Sequence, residues 1–225
     1  MHDRPRSDAF RDRADAGRRL AELLLLHQGP NTIVLGISKS GMPPAAEVAN
    51  ALGAPLEVVI VRKLGIPFLP HAGMGALGEG GVRVVDDVLA ARVGVTQQEM
   101  DAVESLERAY LESRLVRYRG RRPPPDLNGR LALIVDDGIT TGATAAVACT
   151  VARRLGAARV VLAAAVGVRA GVARIADTDD LHCLIEHDSE RSLSSFFVDF
   201  APTTDDDVVD LLDAGRRRLR ARAAP

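Results

Sequence analysis

The chain has 225 residues, 47% of them hydrophobic, and 29 basic against 30 acidic side chains for a net charge of −1. This is enough apolar content and length for one large domain with a sizeable core. The balanced charge offers no basic face for nucleic acid or for anionic lipid, and no run of about 18 uninterrupted apolar residues predicts a membrane-spanning helix.

The start, Met1-His2-Asp3-Arg4-Pro5-Arg6, is polar and lacks the apolar centre of a signal peptide. Phe10 to Leu26 carries Leu20, Leu23, Leu24 and His27 at helical spacing and predicts an amphipathic helix, ended by Gly29-Pro30-Asn31. A short apolar strand over Thr32 to Ile37 leads into the loop Ser38-Lys39-Ser40-Gly41, a helix over Pro44 to Leu52 and a second strand over Leu56 to Val61. This β-α-β unit favours parallel pairing with a right-handed crossover. From Lys63 to Gly81 the chain holds six glycines and two prolines, a density of breakers that predicts a mobile segment or lid instead of packed structure. His71 and Glu79 within it read as solvated loop residues, with Glu79 able to join a site if the lid closes.

Val82 to Val85 predicts an edge strand. Glu99 to Tyr118 predicts a helix with Met100, Val103, Leu106, Tyr110 and Leu115 along one stripe and Glu104 one turn from Arg108. Pro123-Pro124-Pro125 is a stiff connector. Leu131 to Val135 predicts a buried parallel strand, and the Ala-rich stretch Ala143 to Leu155 a helix. Strands over Val160 to Val166 and Leu181 to Ile185 flank a helix near Gly171 to Ala176. Phe196 to Phe200 predicts a further strand. A last helix runs from about Asp205 to Arg220 behind Thr203 or Thr204, with acids in its first turn and arginines in its last. Cys149 and Cys183 fall in a helix and a strand, spaced for neither a metal nor a disulfide framework, and both read as small core residues. His182 and His187 flank the last core strand and show no triad or metal spacing. Alternating strands and helices predict an α/β domain with a mostly parallel sheet flanked by helices.

The most informative run is Ile134-Val135-Asp136-Asp137-Gly138-Ile139-Thr140-Thr141-Gly142-Ala143-Thr144. Two carboxylates end a buried strand, where ligands of open α/β sheets bind. A loop of hydroxyls and glycine then feeds a helix N-terminus, whose unpaired N–H groups suit an anion. Ser38-Lys39-Ser40-Gly41 repeats this placement after the first strand and adds a cation between two hydroxyls. Only Lys39 and Lys63 are lysines among the 29 basic residues, so a compact point charge stands where this chain otherwise uses arginine. Val84-Val85-Asp86-Asp87 echoes the acid pair without the Thr-Thr-Gly that follows it, and reads as coincidence. No Gly-x-Ser-x-Gly elbow occurs, which excludes an α/β-hydrolase.

The long run resembles the phosphoribosyl diphosphate signature of the type I phosphoribosyltransferases. The resemblance implies that Asp136 and Asp137 hold the ribose hydroxyls and, through those hydroxyls or water, a Mg²⁺ ion. It implies that Thr140, Thr141, Gly142, Ala143 and Thr144 hold the 5′-phosphate. It also makes Ser38, Lys39, Ser40 and Gly41 a diphosphate loop with an unusual cis peptide nearby, although many relatives carry Arg-Gly-Gly where this chain has Lys39-Ser40-Gly41. Lys63 is either a second diphosphate cation or a solvated strand-end lysine. Beyond the signature, Phe10 to Arg13 with Ala16-Gly17, the Val61-Arg62-Lys63 strand end, the Gly75-Ala76-Leu77-Gly78-Glu79-Gly80 loop and the Asp199 to Asp207 segment are similar to a group of stand-alone bacterial members of this family. The likeness covers most of the chain and implies one domain over 1–225 with a hood from about 1–28 and 189–225.

Two functions follow from the resemblance. One is Mg²⁺-dependent transfer of ribose 5-phosphate from phosphoribosyl diphosphate to a nitrogenous base in the cytoplasm, with diphosphate released and a homodimer common among similar proteins. The other is a non-catalytic, regulatory binder of a nucleotide or of phosphoribosyl diphosphate. In the similar 6-oxopurine salvage enzymes an Asp stands at the position of Thr140, near the purine N7. A hydroxyl is a poor base at neutral pH, so little activity with hypoxanthine or guanine is expected. Phe196 or Phe197 in the hood either stacks on the acceptor ring or belongs to the core.

Overall fold

The computed structural model describes residues 9–188 and 191–223, with no account of the side chains of Pro70, His71 and Ala223. Five parallel strands form the central sheet in the order β2-β1-β6-β7-β8: β1 (Thr32–Ile37), β2 (Leu56–Val59), β6 (Leu131–Ile139), β7 (Arg159–Val168) and β8 (Asp180–His187). β1 and most of β6 and β7 are buried on both faces, the pattern that helices on each side of a parallel sheet produce. Successive side chains alternate faces and so divide two cores. Val34, Leu133, Val135, Val161 and Ala163 point to one; Ile33, Leu35, Ile134, Leu162 and Ala164 point to the other. The first core is closed by α1 (Arg13–Leu24), α2 (Met42–Leu52) and α7 (Asp205–Ala223). The second is closed by α5 (Ala143–Arg154) and by residues of a smaller sheet.

That smaller sheet corrects the expectation for 63–81. The segment is an antiparallel hairpin of β3 (Val61–Ile66) and β4 (Leu69–Gly78), joined by β5 (Val82–Val85), with register shifts around Gly65. One glycine shows why. A Cβ at Gly78 would come within 2.4 Å of Val151 and 2.9 Å of Val147 on α5, so its missing side chain permits contact. Glu79 is also not a surface acid. It is 3% exposed, paired with the buried Arg119, and accepts from the Arg119 guanidinium at 3.0 Å; that guanidinium also donates to Val58 O at 2.6 Å. The pair fastens the end of β4 to α4 (Gln97–Arg119) and to β2.

The Asp86-Asp87 echo of the acid pair is coincidental, as expected: the Asp86 side chain accepts from Leu89 N at 2.8 Å and caps α3 (Asp87–Arg92). Phe196 to Phe200 is no strand; Leu193–Phe196 forms a 3-10 turn, and Phe197 only bridges to Phe10. On α4, Leu106 is 70% exposed and Leu111 is buried in its place, while Glu104 pairs with Arg83 and not with Arg108. Burial pushes the thiols of Cys149 and Cys183 up, to about 12 and about 11. No helix among the described residues is long and apolar enough to cross a membrane.

Candidate active site

β6 runs four residues past the expected strand, so Asp136 and Asp137 lie within it, at 6% and 4% exposure. Thr140 and Thr141 form the exposed loop beyond, and Gly142 stands at the N-cap of α5. Gly142 has φ +82°, and a Cβ there would meet Gly171 O at 2.4 Å, so both its backbone and its neighbour require glycine. Across the floor, Ser38 donates its N–H to Val59 O at 3.1 Å and Gly41 donates to Ile37 O at 3.0 Å, which folds the loop onto the ends of β1 and β2. The Ser38–Lys39 peptide bond is cis.

Ser38, Ser40, Asp136, Asp137, Thr140, Thr141, Gly142 and Thr144 together line one cavity of about 230 Å³. Lys39, Gly41, Ala143 and Lys63 are not among the lining residues. Gly41 and Ala143 stand at the N-cap of α2 and the start of α5. Lys39 lies beside α7: burial opposes ionisation of Asp205, but the hydrogen bond from Tyr118 and the charges of Arg114, Lys39 and Arg117 outweigh it and hold that carboxyl below its usual range. Lys63 belongs to the smaller sheet instead of the end of β2, with its stem lying across Gly73.

Sequence reasoning assigned Arg13 no role, and the structure gives it one. Its Nε donates to Asp137 Oδ2 at 2.7 Å, its NH1 donates to Ala201 O at 2.6 Å, and its guanidinium stacks 3.8 Å over the Phe200 ring. It is 9% exposed. One cation at the start of α1 thus pairs with a buried acid of β6 and ties the N-terminal helix to the segment after Phe196. Phe10 N donates to Phe196 O and Val198 N to Phe10 O, both at 2.8 Å, so the two segments expected to form the hood are laced together. Leu193 hangs from it against Gly138, into the cavity. Residues 1–8, 189 and 190 of the expected hood lie outside the described residues.

Asp136 is buried beside a second acid. Burial, and then the charge of Asp137 beside it, push its carboxyl well above the usual carboxylate range, although it accepts from Asp137 N at 2.9 Å. Ionised, it calls for more donors than that one N–H, and two adjacent sugar hydroxyls would supply them. The donor set of two carboxylates is also the hard-oxygen kind that Mg²⁺ takes, with substrate phosphates and water completing its shell. Phe196 and Phe197 are each 7% exposed and behave as core. Phe197 packs between Phe10 and Phe200, whereas Phe196, flanked by His187 and Arg191, also lines a second hollow of about 260 Å³ with Ile185 and Ser195.

A parallel sheet carrying paired acids and a hydroxyl loop at its carboxyl end defines an open α/β domain with its candidate ligand site at that end. The chain belongs to the phosphoribosyl transferase domain family, whose model matches residues 8–200. Two Mycobacterium tuberculosis proteins, from strains H37Rv and CDC 1551 and each named "Putative phosphoribosyl transferase", are 46% identical over 209 residues, which is 92% of this chain. The match covers 47% of their length, so the chain spans about half of the curated relatives. The crystal structure of TT1426 from Thermus thermophilus is 36% identical with a TM-score of 0.74, covering 91% of this chain and 97% of that one.

Proposed function

We propose that this domain transfers ribose 5-phosphate from phosphoribosyl diphosphate to a nitrogenous base. The observation that carries the reading is the single cavity that joins the acid pair of β6, the hydroxyl loop before α5 and the Ser38–Ser40 loop. The C1–O bond to the diphosphate breaks with its electron pair leaving on oxygen. A ring nitrogen of the base forms the new C1–N bond and loses a proton to solvent. The transition state is oxocarbenium-like, as in other glycosyl transfers.

Each residue then has a task. Asp136 and Asp137 accept from the 2′- and 3′-hydroxyls and fix the ring. Thr140, Thr141, Thr144 and the first N–H groups of α5 hold the 5′-phosphate. Ser38, Ser40 and the Lys39 ammonium receive charge growing on the diphosphate, with Lys63 a second cation from the hairpin. Asp136 and Asp137 would help hold Mg²⁺, which would supply further charge neutralisation. The acceptor rests under the hood, in the direction of Phe196.

The test is diphosphate release from phosphoribosyl diphosphate with Mg²⁺ across a panel of purine and pyrimidine bases. Release with at least one base supports the transferase. Tight binding by calorimetry with no release for any base supports a regulatory binder. Robust turnover of hypoxanthine or guanine would overturn the reading of Thr140.

A further inference from the structure

A separate cluster lies at the amino end of the sheet, opposite the cavity. His27 closes the 3-10 turn after α1, and its carbonyl accepts from Thr32 Oγ1 at 2.6 Å, which fixes it to the start of β1. Asp180 opens β8, and His182 follows two residues on, so the two point to one face. His27 Nε2 stands 3.1 Å from His182 Nε2, His182 Nε2 stands 3.2 Å from Asp180 Oδ2, and His27 Nε2 stands 3.8 Å from the same oxygen. The ring centroids are 5.2 Å apart, farther than the nitrogens, so both rings aim Nε2 inward.

Protons satisfy this triangle poorly. His182 Nε2 carries at most one, yet His27 Nε2 and Asp180 Oδ2 both stand within reach of it. A cation satisfies all three atoms at once. A triangle with these edges has a circumradius of about 2.0 Å, so one point lies at the Zn–N and Zn–O bond length of about 2.0–2.2 Å from every donor. We infer that His27, Asp180 and His182 form a divalent transition-metal site, with two imidazoles and one carboxylate, that takes Zn²⁺ in preference to Mg²⁺. The imidazole pair sets that preference, since Mg²⁺ favours oxygen ligands and octahedral geometry. The His27 side chain is 1% exposed and forms the floor, while Asp180 at 38% and His182 at 20% leave a way in from solvent and a fourth position for water. An ion here joins the end of α1 to the edge strand β8. Among the described residues this is the cluster of three or more ligating side chains with such spacing.

The test uses tag-free full chain stripped with a chelator. Titration calorimetry should show one Zn²⁺ per chain, with a rise in melting temperature on addition and ligand-field bands with Co²⁺. His182→Ala, at a partly exposed edge position, should weaken Zn²⁺ at least about 100-fold and abolish the melting shift, because even outer-sphere partners of metal ligands cost 10–100-fold. Asp180→Asn should weaken it about 10-fold, and Asp136→Asn should leave it unchanged, which separates this site from the cavity. Absence of Zn²⁺ binding by the wild type would overturn the inference in favour of a hydrogen-bonded histidine pair. So would undiminished binding by a folded His182→Ala protein, or displacement of Zn²⁺ by millimolar Mg²⁺.

Discussion

At the carboxyl end of the sheet, one of two adjacent buried carboxylates, Asp137, pairs with the guanidinium of Arg13, brought from α1. At the amino end, two imidazoles and a carboxylate converge on one another. The same helix reaches both places, since Arg13 begins α1 and His27 closes the turn behind it. The difference teaches how a fold balances charge it has buried. At the carboxyl end the chain sets its own guanidinium against Asp137; at the amino end the ligating side chains face one another, with the charge of Arg159 also acting on His27.

The largest effect should come from removing the internal counter-ion. Arg13→Ala leaves Asp137 buried without its cation and should destabilise the protein by about 3–5 kcal/mol in chemical denaturation. Adding Asp137→Asn should restore most of that. A loss in the single variant that the double variant does not relieve would place the role of Arg13 in packing on Phe200 instead.

Asp136→Asn should separate function from stability. The amide gives up charge-assisted hydrogen bonds to ribose, worth about 1.5–3 kcal/mol of affinity for phosphoribosyl diphosphate. The ligand-free protein should gain about 1 kcal/mol at neutral pH, or about 2–4 °C in melting temperature for a chain of this size. The sign follows from the raised carboxyl. The folded state holds that proton more tightly than the unfolded state, so wild-type stability falls as pH rises from the unfolded value through the folded one. The amide escapes this loss. Ligand hydroxyls favour the ionised acid, so affinity should weaken on acidification through the same range; pH-independent affinity in calorimetry would remove Asp136 from ribose binding.

Lys39 is the partly exposed cation at the carboxyl end, and its loss should be milder. Lys39→Ala should weaken diphosphate-bearing ligands by about 1 kcal/mol, the upper end for an exposed ion pair, and leave nucleoside monophosphates nearly unchanged. Equal losses for both ligands would return the loop to a structural role. The smallest signal should be in the hairpin. Residues 63–78 belong to a β-hairpin, but its tip stands apart from the Glu79–Arg119 anchor, and hydrogen exchange at the tip should slow when phosphoribosyl diphosphate binds. Exchange that is already slow and does not change would exclude a lid.

What could be read from residues alone was local. The strand over Thr32–Ile37, the edge strand over Val82–Val85, the helix behind Thr204 and the Asp136-to-Thr144 run all announce themselves, because apolar period, capping chemistry and turn residues are properties of neighbours in sequence. The acid pair and the hydroxyl loop that line the cavity were legible for the same reason, and so was the Ser38–Ser40 loop beside them. Arg13 was not, since nothing about an arginine opening an amphipathic helix foretells a carboxylate 124 residues away. Glu79 and its glycine-rich surroundings misled in the opposite direction. Glycine density signals freedom in an isolated chain, yet at Gly78 the missing side chain is what lets β4 press against α5. His27 and His182, separated by 155 positions, meet only because α1 ends where β8 begins. The sequence by itself determined the strands of the central sheet, the helix caps and the placing of acids and hydroxyls at its carboxyl end, which depend on short-range order. Only the tertiary structure decided which charges are buried and what faces them, because burial and partnership arise from the packing of segments distant along the chain.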